Sequence, residues 1–397
     1  MDDLEQPRPS RRAGYCFLAQ KCNFIKLCVI FCAILARLWR NLYNNIMFNP
    51  QYKISNKIIN LLTYIAEAKS VIDRAKLLPQ NELRLRRQAL IRMTHSSTAI
   101  EGNMLNTRQV EDLLANKRID APSRDIFEVK NYLKALKFIQ HLVTKKQLLS
   151  ERLILKIHQL VTENTLPKEQ SGHFRSGPIY VVRRRYNQPQ EVVYTGPVAK
   201  KVPGLVKDLV EWVQQSVEKE IHPIIVAGII HQEIAAIHPF TDGNGRTARA
   251  LATLILYERG YDFRKLFALE DYYNQDRPKY YAAINIGKSY EERKVDFTPW
   301  LEYFVKGFKE EIDDIKEKIA KLSLRKVDDK IQSKVYLDKD QMQILDFIDR
   351  IGKITTQDVM DILHCPKRTA QSYLQKLKKL GLIKQVGKGP ASGYILG

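Results

Sequence analysis

The sequence predicts a mainly α-helical protein of two or three domains, with one β-hairpin interrupting a helical core and a smaller helical unit at its C-terminal end. Three observations carry this. Apolar residues recur at helical spacing among Lys, Arg and Glu over most of the 397 residues. Glycine (18) and proline (16) are sparse and 44% of residues are hydrophobic, a folded composition and not a disordered one. β-prone stretches surface only within 179–194 and 383–395. The length excludes a small disulfide-stapled module.

Residues 1–46 stand apart. They hold Cys16, Cys22, Cys28 and Cys32 at spacings that match no zinc ligand set, and Cys365 is alone, so a reducing, cytoplasmic setting is expected. The apolar run 27–36 falls short of the about 20 residues a bilayer span needs. Arg37, Trp39 and Arg40 fit a signal-peptide cleavage site badly. The expected native start is Met47, because amphipathic patterning begins at Ile54, Ile58, Leu61 and Ile65; a membrane-attached hairpin is the alternative.

Helical spacing then runs over 55–75 and 81–100, separated at Pro79, over 127–143, and over 150–160 behind a Ser150 cap. Near Gly172 the rhythm changes. Residues 179–182 and 191–194 are β-prone and bracket the polar 183–190, which predicts a hairpin. Pro203 opens a helix with Leu205, Leu209, Trp212 and Val213 on one side. Pro223 precedes 224–237, apolar nearly all round, as a buried central helix requires. After 301–308, the run 309–326 is dense in Lys and Glu without aromatics and reads as a helical connector. Helices over 341–350, 356–363 and 368–380 and a hairpin over 383–395 complete the chain.

The chemistry concentrates directly after the buried helix, in His238-Pro239-Phe240-Thr241-Asp242-Gly243-Asn244-Gly245-Arg246-Thr247-Ala248-Arg249. Glycines on both sides of Asn244 let the backbone approach a ligand where a new helix begins. Unpaired N–H groups there, at the positive end of the helix dipole, form an anion cradle. Arg246 and Arg249 lie three apart on one face and can clamp further phosphate oxygens. Asp242 is a hard carboxylate suited to one Mg²⁺ that keeps most of its waters. His238 can take a proton from an incoming hydroxyl near neutral pH. Each fragment alone would serve equally as a loop, a cap or a solvated face; together they describe a polyphosphate site with a base and a metal ligand.

The same positions resemble the signature of the Fic (Fido) family, His-x-Phe-x-Asp/Glu-Gly-Asn-Gly-Arg-x-x-Arg, at every fixed position. The resemblance spans approximately residues 47–308 and implies a Fic helical core with a β-hairpin flap. It implies a protein adenylyltransferase, moving AMP from ATP onto Ser, Thr or Tyr hydroxyls of a target protein or of itself. On that pattern His238 is the general base and Asp242 binds Mg²⁺. Asn244, with the Gly243 and Gly245 backbone, holds the α-phosphate, Arg246 and Arg249 hold the outer phosphates, and Phe240 fills the core beneath the loop.

Three further segments agree with it. Gly172-His173-Phe174-Arg175 and the hairpin after it resemble the flap that receives the target by strand pairing, which makes Ile179, Tyr180 and Val181 the expected target contacts. An ordinary surface hairpin would look the same. Tyr280-Tyr281-Ala282-Ala283-Ile284 resembles the segment lining the adenine pocket; Tyr281 and Ile284 share a helix face, a pattern that core packing also produces. Ser97-Thr98-Ala99-Ile100-Glu101-Gly102-Asn103 resembles the family's inhibitory motif, Ser/Thr-x-x-x-Glu-Gly/Asn. A carboxylate in the last turn of a helix meets the negative end of the dipole, so Glu101 needs an outside cation, and Arg249 is the expected one. Ser97 lies one turn back on the same face. The resemblance implies that Glu101 blocks the γ-phosphate and represses the resting enzyme. Alternatively the same group orients a water for removal of AMP, and the sequence leaves the direction open. A plain C-cap with Gly102 left-handed would fit the segment too. His95, His158, His222 and His231 have no partners at ligand spacing and read as packing residues.

Three short helices and a hairpin are the pattern of a winged helix-turn-helix domain. From Lys367 to Lys388 there are seven basic residues and no acidic one, in a chain of formal charge +21, which favours polyanions. Lys367, Arg368, Gln371 and Lys388 are the expected DNA contacts, although protein docking and dimerisation use the same shape. The expected organisation is 1–46 anomalous, 47–165 an N-terminal helical region with the inhibitory helix, 166–308 the catalytic core, 309–330 the connector and 331–397 the winged helix. ATP, Mg²⁺ and a hydroxyl-bearing target protein are the expected partners; DNA and a homodimer are left open. The competing reading, a nucleic-acid-binding regulator, would need neither His238 nor Asp242, which favours the enzyme.

Overall fold

The computed structural model describes residues 48–75, 77, 79–183, 191–285, 287–324, 337–387 and 393–397. The expectations for 1–46, the start at Met47 and Lys388 lie outside them. Helix α1 (Asn56–Arg74) begins where the Ile58 N–H donates to the Ser55 hydroxyl, and buries Ile58, Ile65 and Ile72 on one stripe. Helix α2 (Pro79–Ile100) takes Pro79 as its first residue, where no N–H is needed. Periodicity does not predict α3 (Thr107–Leu114), which has only Val110 and Leu113 to bury. A reciprocal capping box between Asn106 and Gln109 starts it.

Helices α4 (Ser123–Thr144) and α5 (Glu151–Thr162, capped by Ser150) pack together. Strands β1 (Tyr180–Arg183) and β2 (Glu191–Thr195) then pair antiparallel, Tyr180 opposite Thr195 and Val182 opposite Val192, with a register shift between Val181 and Val182. Helix α6 (Val202–Glu218) leads to α7 (Pro223–Ile237), which is buried along almost its whole length, as its all-round apolar sequence demands. Helix α8 (Asn244–Glu258) lies against α7, with α4 and α5 on its other side. Two short helices, α9 (Leu269–Gln275) and α10 (Arg277–Ile284), follow.

The expected boundary at 308, between core and helical connector, falls inside one helix, and residues 325–330 of the connector lie outside the described residues. Helix α11 runs unbroken over Thr298–Leu324, and Ile312, Ile315 and Ile319 are buried beyond that point. The dense Lys and Glu of 309–324 are the solvated face of a helix whose apolar stripe packs on α1; the Lys316 ammonium and the Asp313 carboxylate both meet the Tyr64 hydroxyl. Helices α12 (Lys339–Ile351), α13 (Thr356–Leu363) and α14 (Lys367–Lys379) and the antiparallel pair β3 (Ile383–Val386) and β4 (Gly393–Leu396) share a small core around Ile344, Leu345, Val359, Leu374 and Leu377. Leu83 of α2 packs against that core, and Asp346 of α12 accepts hydrogen bonds from Arg86 and Lys265. Among the described residues no helix is long and apolar enough to cross a membrane.

Candidate active site

Helix α7 leads into the motif. His238 caps the helix in the left-handed conformation (φ 49°, ψ 58°), its N–H bonded to Ile234 O at 3.0 Å, and so turns the chain into the motif loop. The imidazole Nδ1 stands 3.0 Å from Ala235 O. A carbonyl only accepts, so Nδ1 carries the proton and Nε2 keeps its lone pair. Burial pushes the pKa of His238 below that of free imidazole. At neutral pH the group is an uncharged base.

The loop is clamped from inside. Asn244 accepts the Phe240 N–H at 2.9 Å and donates to the Phe240 carbonyl at 2.8 Å, so its side chain holds the turn closed and an anion would meet its backbone N–H. Phe240 is fully buried, as expected. His158, expected only as packing, stacks on Phe240 with ring centroids 3.7 Å apart. Its Nε2–H donates to Asp242 O (3.0 Å) and its Nδ1 accepts the Gly172 N–H (2.9 Å), while burial lowers its pKa to about 4. It braces the loop as a neutral ring of fixed tautomer. Only its lack of an obvious role marked it in the sequence.

Helix α8 starts at Asn244 without a side-chain cap, which leaves its first N–H groups for another acceptor. Gly243 has φ 78°, and a Cβ there would lie 2.8 Å from Thr162 Cγ2. A Cβ on Gly245 would stand 2.1 Å from a Glu101 carboxylate oxygen and 3.0 Å from Arg249 Nη1. The Glu101 carboxylate therefore lies on the opening turn of α8.

Arg249 is buried under that carboxylate. It donates to Glu101 Oε1 at 2.8 Å, to Ser97 Oγ at 2.9 Å and to Ser97 O at 2.8 Å. Burial opposes its charge, but Glu101, Tyr280 and Tyr132 outweigh that and hold it protonated. The structure thus brings Glu101 and Ser97 together on Arg249. Arg246, also buried, lies 3.3 Å from Glu128 and 3.5 Å from Asp242, and its Nε and Nη1 have no hydrogen-bond acceptor. The guanidinium is ion-paired with Glu128 and Asp242, yet has buried N–H donors to offer a phosphate oxygen.

Asp242 is about one-third exposed. It accepts the Gly243 N–H at 2.6 Å and meets the exposed Arg124 at 3.2 Å. Among the described residues no cluster of three or more His, Cys, Asp or Glu side chains could hold a metal. A lone carboxylate suits Mg²⁺, whose other ligands would be water and phosphate oxygens.

The expected periphery is less uniform. Tyr281 donates its hydroxyl to Ile100 O at 2.9 Å, at the end of α2, and Ile284 is half-buried with its carbonyl accepting from Gln232. Of the expected strand contacts, Tyr180 is exposed, whereas Ile179 and Val181 are half-buried; Val182 and Val192, not singled out by the sequence, are exposed as a cross-strand pair. Lys367, Arg368 and Gln371 are exposed at the start of α14.

Residues 148–256 match the model of the Fic/DOC family. The chain is 29% identical over 228 residues to protein adenylyltransferase fic-1 of Caenorhabditis elegans, covering 56% of this chain and 40% of that protein. It is 30% identical over 202 residues to protein adenylyltransferase Fic of Drosophila willistoni, covering 50% and 36%. The matched stretch is thus less than half of either curated relative. Among solved structures, a Fic family protein from Desulfovibrio desulfuricans G20 aligns with TM-score 0.58 at 25% identity, over 88% of this chain and 98% of that one. Fic-1 of C. elegans (residues 134–508) aligns with TM-score 0.53 at 26% identity, over 66% and 72%. The whole twelve-position motif lies inside the region that matches the Fic/DOC family model, with its side chains gathered around one helix start.

Proposed function

We propose that the protein is a protein adenylyltransferase that moves AMP from ATP to a hydroxyl of a target protein, and that Glu101 restrains it. One observation carries the reading: a carboxylate paired with Arg249 occupies the opening turn of α8, the place built for an anion. Once it is displaced, Arg249 and the unsatisfied donors of Arg246 are available to the outer phosphates, and the α8 N–H groups to the phosphate nearest them. His238 Nε2 takes the proton of the target hydroxyl. That oxygen bonds to the α-phosphorus as the bond to the β-phosphate bridging oxygen breaks, and pyrophosphate leaves with the electron pair. Asp242 would hold Mg²⁺, which, when bound, offsets charge on the phosphates. The exposed Tyr281 and half-buried Ile284 are the proposed adenine contacts, and the hairpin β1–β2, with Tyr180 at its exposed edge, the proposed seat of the target strand. A cytoplasmic location rests on cysteine usage.

The test is incubation of wild type, Glu101→Gly and Glu101→Gly/His238→Ala with Mg²⁺ and ATP, read by intact mass. The expected result is a gain of one AMP in Glu101→Gly only. Equal labelling of wild type and Glu101→Gly would refute restraint; no labelling of any chain or added target would refute transfer. Loss of AMP from a pre-modified target with wild type would reverse the direction.

A second reading concerns the C-terminal unit, proposed as a winged helix that binds duplex DNA. It is supported by Lys367, Arg368 and Gln371, exposed together where α14 opens. Salt-dependent duplex binding by the full chain, lost in Lys367→Glu/Arg368→Glu, is expected, and equal binding by both chains would refute it.

A further inference from the structure

One buried guanidinium, Arg175, gathers the backbone around the base. Only 6% of it is exposed, and its hydrogen bonds go to carbonyls: His238 O at 2.8 Å, Gly177 O at 2.7 Å, Pro197 O at 2.6 Å and Ile237 O at 3.5 Å. Its own N–H donates to Pro239 O at 3.0 Å. Gly177 lies just before β1, Pro197 just after β2, and residues 237–239 join α7 to the motif loop. The joint is closed, since a Cβ on Gly196 would come within 3.2 Å of Arg175 Nη2 and 2.5 Å of Ile179 Cγ2. Tyr194 of β2 reinforces it, donating its hydroxyl to Ala236 O at 2.7 Å.

We propose that Arg175 is a positioning residue for transfer: it locks the target-seating hairpin onto the backbone of the catalytic base, so that an incoming hydroxyl and the His238 imidazole stand in register. This rests on the proposed adenylyl transfer. The geometry gives the residue two separable effects. As a fork with several donors it fixes both feet of the hairpin to one helix end, which a single-centred cation could not do. As a cation it sits on the negative end of α7 beside His238. Glu101 from the end of α2 and Asp242 from the loop favour the protonated imidazole, while burial and Arg175 oppose it. Without Arg175 the two carboxylates act on His238 with less opposition, and the imidazole binds its proton more readily.

The test uses the full chain in the Glu101→Gly background, where Asp242 is the carboxylate left to act on His238, with Arg175→Gln and Arg175→Lys. For Arg175→Gln, kcat/KM for the protein target is expected to fall about 100-fold, as a displacement of about 1 Å at a reacting centre would produce, while KM for ATP changes less than about twofold because α8 holds the phosphates. The acid limb of its pH–rate profile, and the midpoint of the His238 ring signal in an NMR titration, both move to higher pH. Arg175→Lys is expected to restore the pH profile and the ring titration without restoring kcat/KM for the target. An unchanged His238 titration, or losses that fall equally on the ATP and target constants and track lost stability in urea, would overturn the proposal. If the parent Glu101→Gly chain transfers no AMP, the functional reading fails, and the ring titration still decides whether Arg175 tunes the imidazole. Should Arg175→Gln not fold, Arg175→Lys alone decides the matter, since full target activity in it would overturn the lock.

Discussion

Replacing Glu101 by Gln removes one charge at the helix end and should make the unliganded protein weaker but more responsive to nucleotide. The Arg249 side chain is 1% exposed and that of Glu101 31%. Removing one partner of a fully buried pair costs about 3–5 kcal/mol, because the other charge is left uncompensated. Solvent at the carboxylate screens part of this, and relief of the unfavourable helix-dipole contact returns about 0.5 kcal/mol, which leaves about 2 kcal/mol. A bound triphosphate replaces the missing negative charge. The same 2 kcal/mol should then appear as an apparent affinity for ATP about 30-fold higher than wild type. In a chain of this size it corresponds to a melting temperature about 2 °C lower without ligand. Scanning fluorimetry and calorimetry with Mg²⁺ and a non-hydrolysable ATP analogue measure both numbers. An unliganded variant as stable as wild type, or an equal nucleotide-induced shift in the two proteins, would refute the reasoning.

Three other outcomes are expected. His158→Ala removes the stack on Phe240 and leaves Asp242 O and the Gly172 N–H without their partner, so urea denaturation should register a loss of about 3 kcal/mol and transfer should fall with it. Glu270 is buried and raised to about 7 from 4.5, so the stability it contributes is full below pH 4.5 and is lost as pH rises through 7. Between pH 5 and pH 8 wild type should therefore lose about 3 kcal/mol relative to Glu270→Gln, measured by denaturation at the two pH values. Asp346→Ala removes the carboxylate shared by Arg86 and Lys265, and hydrogen exchange should rise about tenfold in the first turns of α2 and in α12 if that contact seats the C-terminal unit.

The motif was legible because its parts are consecutive: the end of one helix, a tight loop and the start of the next lie within residues 238–249, so local rules of caps, dipoles and glycine conformation suffice. Glu101 was legible across 148 residues because an acid at a helix C-terminus announces a missing cation. His158 and Arg175 carry no such signal. Their partners are backbone atoms, and the bond from His158 to Asp242 spans 84 residues with no side-chain pattern to reveal it. The small helices α3 and α9, of eight and seven residues, are too short for a period to emerge. In α11 the converse holds, because a solvated Lys and Glu face hides an apolar stripe that repeats only at Ile312, Ile315 and Ile319.

That long helix bears on how far the chain can be shortened. At 1.5 Å per residue, its 27 residues reach about 40 Å, a keel against which the first helix beaches its isoleucines. A chain trimmed after residue 308 would keep every group proposed to touch nucleotide and still bare much of Ile65 and Ile72 to water, at about 2 kcal/mol for each fully wetted side chain. Such a sum is a large part of the margin by which a protein stays folded. The smallest chain that folds is therefore measured by its hull, well past the last residue of the proposed chemistry.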